Sequence, residues 1–148
     1  MRVQEVIKTK GDHVITVAED ASIKDAAKLM DYHRIGALVV LACDGGIKGI
    51  VSEREIVSAI ARCGLVAFEL HVRELTMLGG PVVAPMDSII SAMEVMTVHR
   101  ARHLPVVLDR KVVGVLSIGD AVKARLSEKI TENLVLQEMA GWPPAVAA

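Results

Sequence analysis

Two short segments of the chain place a serine three residues ahead of an acidic side chain. They are Ser52-Glu-Arg-Glu55 and Ser117-Ile-Gly-Asp120. Each follows an apolar run and precedes a helical pattern, which predicts a strand-to-helix junction. Such a junction has two interpretations. In a capping box the serine and the acid satisfy the helix start, whereas in a nucleotide site the same groups and the free helix N–H groups bind a phosphate or a ribose. The local pattern leaves both open.

A basic cluster, Arg100-Ala-Arg102-His103, precedes the apolar run Leu104-Pro-Val-Val. Arginine binds phosphate through paired N–H groups, although a solvated charge cluster is the alternative. The equivalents of Arg102 and His103 in the first half are Gly36 and Ala37, and this difference favours one anion site over two. His99 and His103 lie four residues apart, but no third ligand is evident, so no metal site is expected.

These segments belong to a duplicated unit. Ile23–Met30 aligns with Ile89–Met96 at an offset of 66 residues. Gly49–Val57 aligns with Gly114–Val122 at an offset of 65, because the second copy is one residue shorter between the two segments. A duplication of this length predicts two αβ modules related by pseudo-twofold symmetry. We expect the first repeat at 1–68, the second at 69–141 with an extended C-terminal helix, and a frayed tail at 142–148.

Each copy is predicted to form a strand, a helix, two strands joined by a hairpin, and a second helix. The turn signals are Asp44-Gly45-Gly46 and Asp109-Arg110. Val72–Met77 resembles the segment from Val3 to Ile7, so each copy is expected to pack with its own lead-in segment. The predicted strands are 14–17, 37–41, 47–51, 82–84, 104–108 and 112–116, and the predicted helices are 23–30, 53–62, 89–99 and 120–139.

Composition excludes several classes of protein. A net charge of −1 and 2% aromatic residues disfavour nucleic-acid binding. No apolar run approaches the roughly 18 residues of a membrane span, and no secretory signal is evident. Cys43 and Cys63 lack a CxxC pattern, so both are expected to be buried and reduced in a cytoplasmic protein. No nucleophile with an adjacent base is legible, so the chain is not expected to be an enzyme.

Taken together, the motifs resemble the tandem CBS (cystathionine β-synthase) domain pair, or Bateman module, and in particular stand-alone bacterial pairs. The resemblance covers about Val3 to Ala124. It implies an α/β fold in which two βαββα repeats pack through their small sheets, with clefts between them. The segments that carry it are Ile35-Gly-Ala-Leu-Val-Val, Gly49-Ile-Val-Ser-Glu-Arg-Glu, Arg102-His-Leu-Pro-Val-Val and Gly114-Val-Leu-Ser-Ile-Gly-Asp.

The same resemblance implies a regulatory module that binds an adenine nucleotide: AMP foremost, or ADP, ATP or NAD(H), with no required cofactor. S-adenosylmethionine is disfavoured because it has no phosphate for the basic residues. Glu55 stands where an Asp is usual and marks a weaker second site. The implied roles are ribose for Asp120, ribose or phosphate for Ser117, phosphate for Arg102 and His103, a position in the same cleft for Ser52, and adenine for Val82 and Val83.

The resemblance also implies a homodimer and an unknown regulated protein as partners. The apolar helix residues Ile56, Val57 and Ile60 are expected to form an exposed face that self-association buries. A ligand-free dimeric scaffold is the alternative function, because the first copy lacks the basic pair and carries Glu55.

Overall fold

The computed structural model describes residues 1–11, 13–76 and 80–141, and it contains the two αβ modules that the duplication predicts. Two short 3-10 helices, Gly64–Glu69 and Val72–Glu74, connect the modules. The main elements are α1 (Val3–Lys10), β1 (Thr16–Ala18), α2 (Ile23–His33), β2 (Ala37–Leu41), β3 (Ile47–Ser52), α3 (Glu53–Cys63), α4 (Ile89–His99), β4 (His103–Leu108), β5 (Lys111–Ser117) and α5 (Ile118–Met139).

The duplication extends to the ends of equivalent helices. Ser22 and Ser88 cap α2 and α4, and their hydroxyls accept backbone N–H groups at 3.1 and 3.0 Å. Both helices then end at an arginine in the left-handed region, Arg34 at φ 53° and Arg100 at φ 51°. In the second repeat, the basic cluster therefore begins with the left-handed residue Arg100 that ends α4.

The two sheets differ in their first strand. In the first repeat β1 pairs parallel to β2, which pairs antiparallel to β3. In the second repeat β4 and β5 pair antiparallel, but the strand predicted at 82–84 is reduced to one parallel bridge between Val83 and Val106. Pro81 and Pro85 flank this segment and lack the N–H groups that a longer ladder needs.

Each repeat has its own aliphatic core, but the lead-in segments are exchanged. Val3 and Ile7 of α1 lie in the core of the second repeat, whereas Val72 lies in the core of the first. The expectation that each copy packs with its own lead-in is therefore wrong. The lack of a side chain at Gly114 allows α1 to pack closely on β5, because a Cβ there would lie 2.8 Å from Cγ2 of Ile7. The division of the sequence at residue 68 stays a prediction.

The repeats meet through the faces of their sheets that point away from the two cores. Leu38 and Val40 of β2 enter the first core, while Val39, which points to the other face, is fully buried without belonging to either core. Strands β3 and β4 contact each other across this interface. Burial of Val39 on this face indicates that the two repeats form one packed body.

Gly36 shows how β3 and β4 are oriented. Its carbonyl accepts the N–H of Glu53 at the end of β3. A Cβ on Gly36 would lie 3.5 Å from Cε1 of His103 at the start of β4. The end of β3 therefore meets the start of β4. Lys48 and Arg110, beside the two hairpin turns, line one cavity, so the strands run in opposite directions and both turns lie at the same end of the interface.

Three expectations outside the core have separate outcomes. Cys43 and Cys63 are exposed, so their predicted burial is wrong; Cys43 lies in the hairpin after β2, and Cys63 is the last residue of α3. None of the described helices combines the length and apolar character of a membrane span. The predicted tail at 142–148 lies outside the described residues.

Candidate functional site

A cleft of about 650 Å³ opens where the two repeats meet. It draws residues from the end of β3, the start of α3, the segment before α4, and the junction between α4 and β4. Five of the predicted site residues line it: Ser52, Glu55, Val82, Arg102 and His103. Residues 50 positions apart in the sequence are thus brought to one cavity by the face-to-face packing of the sheets.

The cleft has a cationic lining in a chain whose net charge is −1. Five Lys and Arg side chains line it against two Glu. Concave, charged walls of one sign raise the local concentration of the opposite ion. The arrangement therefore suits an anion. The basic residues are Lys48, Arg54, Arg100, Arg102 and Arg110, and the acids are Glu53 and Glu55.

Apolar side chains from both repeats line the rest of the cavity. Ile47 and Ile50 come from β3, and Val82 and Val107 come from the second repeat. Val82 is 52% exposed and leaves apolar surface available to a ligand. Apolar walls with a few charged groups are the usual lining of a site for an amphipathic small molecule.

Ser52 and Glu55 are bonded to each other at the start of α3. The backbone N–H of Ser52 donates to Oε2 of Glu55 at 2.8 Å, and the Ser52 hydroxyl donates to the same oxygen. This is the acidic half of the predicted capping box, and it holds the Glu55 carboxylate at the cleft wall.

His103 lies between the two strand-to-helix junctions. Burial lowers the pKa of its imidazole below the ordinary value of 6.5, and the nearby Lys10 ammonium lowers it further. The carboxylates of Glu53, Asp120 and Glu55 oppose this shift. This shift favours the neutral imidazole in the unliganded protein, and an anion beside it would favour its protonation.

Ser117 and Asp120 form a complete capping box, and the structure does not bring them into the cleft. The N–H of Asp120 donates to the Ser117 hydroxyl at 3.1 Å, and the N–H of Ser117 donates to Asp120 Oδ2 at 3.0 Å. Lys10 donates to that same Oδ2 at 2.7 Å. The ribose role of Asp120 stays a prediction, and it would require Lys10 to leave.

The Asp120 carboxylate is ionised in this arrangement. Burial alone would raise its pKa, but hydrogen bonds from Lys10 and Ser117 outweigh burial and lower the pKa below its ordinary value. Lys10 also donates to the carbonyl of Val115 at 3.1 Å. Lys10 thus bonds both the last residues of β5 and the first turn of α5.

Val83 is also outside the cleft lining. Its side chain is 3% exposed and belongs to the second core. Its N–H donates to the carbonyl of Pro105, and its carbonyl accepts the N–H of Val107. The expected contact between Val83 and an adenine would need groups that are already used, so Val82 alone of the pair faces the cavity.

The contrast between the basic pair and its equivalents in the first copy has a packing explanation. A Cβ on Gly36 would lie 3.4 Å from Cδ of Glu53 as well as 3.5 Å from His103, and Ala37 is only 7% exposed. The first-copy equivalents of the basic pair therefore lie against the second copy's own His103 and against Glu53, at the interface of the two repeats.

Three cations of the cleft, Lys48, Arg54 and Arg110, were not predicted from the sequence. Lys48 of β3 lines the cavity and forms an ion pair with Glu19, which lies just after β1. Lysines in hairpin strands are common, so no local signal separates Lys48 from a solvated residue. Among the described residues, no group of three or more His, Cys, Asp or Glu is placed to hold a metal.

Comparison with known proteins agrees with this architecture. The CBS domain family pattern matches residues 3–62 and 72–127. The mitochondrial CBS domain-containing protein CBSX3 of Arabidopsis thaliana is 31% identical over 134 residues; the match covers 85% of this chain and 65% of that relative's length.

Solved structures show the same fold. The CBS-domain containing protein ATU1752 of Agrobacterium tumefaciens superimposes with a TM-score of 0.80 at 37% identity, covering 84% of this chain and 92% of that one. The CBS domain protein PAE2072 of Pyrobaculum aerophilum, solved in complex with AMP, gives a TM-score of 0.73 at 28% identity, covering 81% and 89%.

Proposed function

The chain belongs to the CBS domain family, and from this premise we propose that it is a regulatory module that binds an adenine nucleotide, AMP foremost, in the cleft between its repeats. The observation that carries the proposal is the cationic cleft that joins both repeats. The AMP complex of the similar protein PAE2072 supports the ligand class.

Each part of the nucleotide has a matching part of the cleft. Arg102 and His103 bind the phosphate, because a guanidinium and an imidazolium donate charge-assisted hydrogen bonds to its oxygens. Glu55 accepts ribose hydroxyls, with Ser52 beside it. Val82 and the opposite wall at Ile50 enclose the base. S-adenosylmethionine carries no phosphate and fits this charge distribution poorly.

Regulation follows from where the cleft lies. Its walls come from two repeats whose cores are separate, so a bound nucleotide adds contacts across the interface that the free protein lacks. A ligand that binds one arrangement of the repeats better shifts the population toward it. The protein partner that reads this arrangement is a separate macromolecule of unknown identity.

A thermal-shift panel tests the function. AMP, ADP, ATP, NAD(H) and S-adenosylmethionine are added separately, and a ligand at 100 times its Kd should stabilise the fold by about 2.7 kcal/mol. Arg102→Gln should weaken the shift given by AMP, while Lys111→Gln, a charge change outside the cleft lining, should not. A parent protein that no adenine nucleotide stabilises would favour the alternative, a ligand-free scaffold.

We also infer that two chains associate through exposed apolar helix residues. The predicted contribution of Ile56 is wrong, since it is 6% exposed, although Val57 is 65% exposed. A larger apolar surface lies on α5, where Val122, Leu126 and Ile130 are 40%, 59% and 60% exposed. Spacing of four residues places these three on one helix face. Twofold association would cover this stripe.

A further inference from the structure

The two strand-to-helix junctions of the chain have the same local structure. Ser52 and Glu55 at the start of α3 correspond to Ser117 and Asp120 at the start of α5. In each junction the backbone N–H of the serine donates to the carboxylate three residues later, at 2.8 and 3.0 Å. The first pair lines the cleft and the second does not. Local structure therefore does not explain the difference between them.

Lys10, the last residue of α1, occupies the second junction. Its ammonium donates to Oδ2 of Asp120 at 2.7 Å and to the carbonyl of Val115 at 3.1 Å. At the offset of 65 residues, Asp120 corresponds to Glu55. Val115 corresponds to Ile50 at the same offset, and both Glu55 and Ile50 line the cleft. Lys10 therefore bonds the groups of the second repeat whose counterparts are open to a ligand in the first.

The length of α1 brings Lys10 to this position. The two lead-in segments start alike, because Glu5 and Glu74 each accept the N–H of the residue three positions earlier, at 2.6 and 2.7 Å. The helix that starts there continues to Lys10 in α1 but ends at Glu74 in the other lead-in. The contact of Ile7 with Gly114 fixes α1 on β5. The additional turns of α1 therefore place a lysine at the second junction.

The second junction also lacks a counterpart of the basic pair. Gly36 and Ala37 stand at the positions equivalent to Arg102 and His103. A ligand at this junction would meet the carboxylate of Asp120 without the paired cations that suit a phosphate. The chemistry of the junction, once Lys10 is removed, therefore suits the ribose of an uncharged nucleoside.

We infer that Lys10 blocks the second junction, so that the chain binds one ligand, at the cleft. Its ammonium uses the carboxylate of Asp120 that would otherwise accept ribose hydroxyls. The inference rests on the proposed function, which assigns ribose hydroxyls to the equivalent Glu55. The side chains of Lys10 and Asp120 are 41% and 24% exposed, so removal of the ammonium opens the carboxylate to a ligand.

Calorimetric titration of adenosine into AMP-saturated protein tests the inference. Saturating AMP fills the cleft, so that added adenosine reports on the second junction. Lys10→Met keeps an apolar stem and removes the ammonium, and the double variant Lys10→Met with Asp120→Asn also removes the charged acceptor. Lys8→Met is the matched control, because it removes the charge of an exposed lysine on the same helix.

The AMP-saturated Lys10→Met variant should bind one adenosine per chain, at least about tenfold more tightly than the parent does. Hydrogen bonds to a charged carboxylate are worth roughly that factor. Lys8→Met and the double variant should behave as the parent does. Urea unfolding should show a folded Lys10→Met protein, because a partly exposed ion pair contributes little to stability. Lys10→Ala should give the same gain, so the test does not depend on one substitution.

Three results would overturn the inference while leaving the function intact: a parent that binds adenosine as tightly as Lys10→Met, folded Lys10 variants that show no gain, or a double variant that keeps the gain. Weaker adenosine binding by Lys10→Met would also overturn it, because Lys10 would then recruit the ligand. A parent that binds no AMP in a separate titration rejects the proposed function itself, and this inference with it.

Discussion

The Lys10 ammonium lies 2.7 Å from Oδ2 of Asp120 and joins the end of α1 to the start of α5. The two residues are 110 positions apart in the sequence. Because α1 packs on the second repeat, its last turn reaches the junction that repeats the Ser52–Glu55 junction of the first copy. One of the two equivalent junctions thus carries an internal cation, while the other faces the cleft.

This difference predicts opposite effects for the two acids. Glu55→Gln should weaken AMP binding about tenfold, because it removes a charged acceptor beside the ribose. Asp120→Asn should leave AMP affinity within about twofold and cost roughly 0.5–2 kcal/mol of stability through the lost cap and ion pair. Calorimetry measures the affinity and urea unfolding the stability. The reverse pattern of affinities would move the working site to Asp120.

Nucleotide binding should depend on salt and pH through Arg102 and His103. Raising ionic strength should weaken AMP binding more than adenosine binding, because salt screens the phosphate contact. The pKa of His103 is lowered below 6.5, so its protonation, and the extra phosphate affinity that comes with it, should grow as pH falls below 6.5 and vanish as pH rises. The His103→Gln variant is the control, because it lacks the imidazole and its pH profile contains only the titration of the AMP phosphate. Equal pH profiles for parent and variant would remove His103 from the phosphate contact.

Packing of α1 on β5 predicts a large cost for a single methyl group. Gly114→Ala would place a Cβ 2.8 Å from Cγ2 of the buried Ile7 and should destabilise the protein by about 1–3 kcal/mol. Adding Ile7→Val, which shortens the opposing side chain, should recover part of that loss. Gly119→Ala is the control, since its nearest neighbour is 3.7 Å away. Urea unfolding of the parent, the single variants Gly114→Ala, Ile7→Val and Gly119→Ala, and the double variant checks the coupling, and additive effects of the first two changes would contradict the contact.

The Glu19–Lys48 pair predicts a loss of stability in acid. The hydrogen bond from Lys48, together with Cys43, lowers the pKa of Glu19 from its ordinary 4.5 to about 2. A lowered carboxyl pKa means that the unfolded chain takes up the proton first, so this contribution is complete above pH 4.5 and declines as pH falls toward 2. The double variant Glu19→Gln with Lys48→Met should show a flatter decline of unfolding free energy across this window.

Glu132→Gln supplies the comparison for that measurement. Glu132 pairs with Lys129 three residues earlier on α5, and both side chains are 52% exposed. An exposed pair of this kind contributes little to stability. Its variant should follow the parent's acid profile, and a profile as flat as that of the double variant would show that the Glu19 pair has no special role.

The apolar stripe of α5 predicts a dimer. Light scattering at micromolar concentration should give twice the chain mass of 15.9 kDa. Leu126→Glu places a charge in the centre of the stripe and should give a monomer, whereas Lys129→Glu, which leaves the stripe intact, should not. A parent that remains at 15.9 kDa would exclude the association.

Local sequence patterns predicted most of the elements because their causes are local. The serine caps at Ser22 and Ser88, the glycine turn at 44–46 and the helix span 89–99 each depend on neighbouring residues. The duplication predicted two modules from a comparison along the whole chain. Arg102 and His103 line the cleft, and their binding of an anion stays a prediction.

Tertiary packing decided what identical local patterns cannot distinguish. Ser52–Glu55 and Ser117–Asp120 have the same spacing, yet the first pair lines the cleft, whereas α1 crosses to the second repeat and brings Lys10 to Asp120 of the second pair. Lys48 and Arg110 meet in one cavity only because β3 and β4 run in opposite directions across the interface. Sequence determined which groups are available, and the packing of two repeats determined which of them line one cavity, because charge and hydrogen bonding act over distances in space and not along the chain.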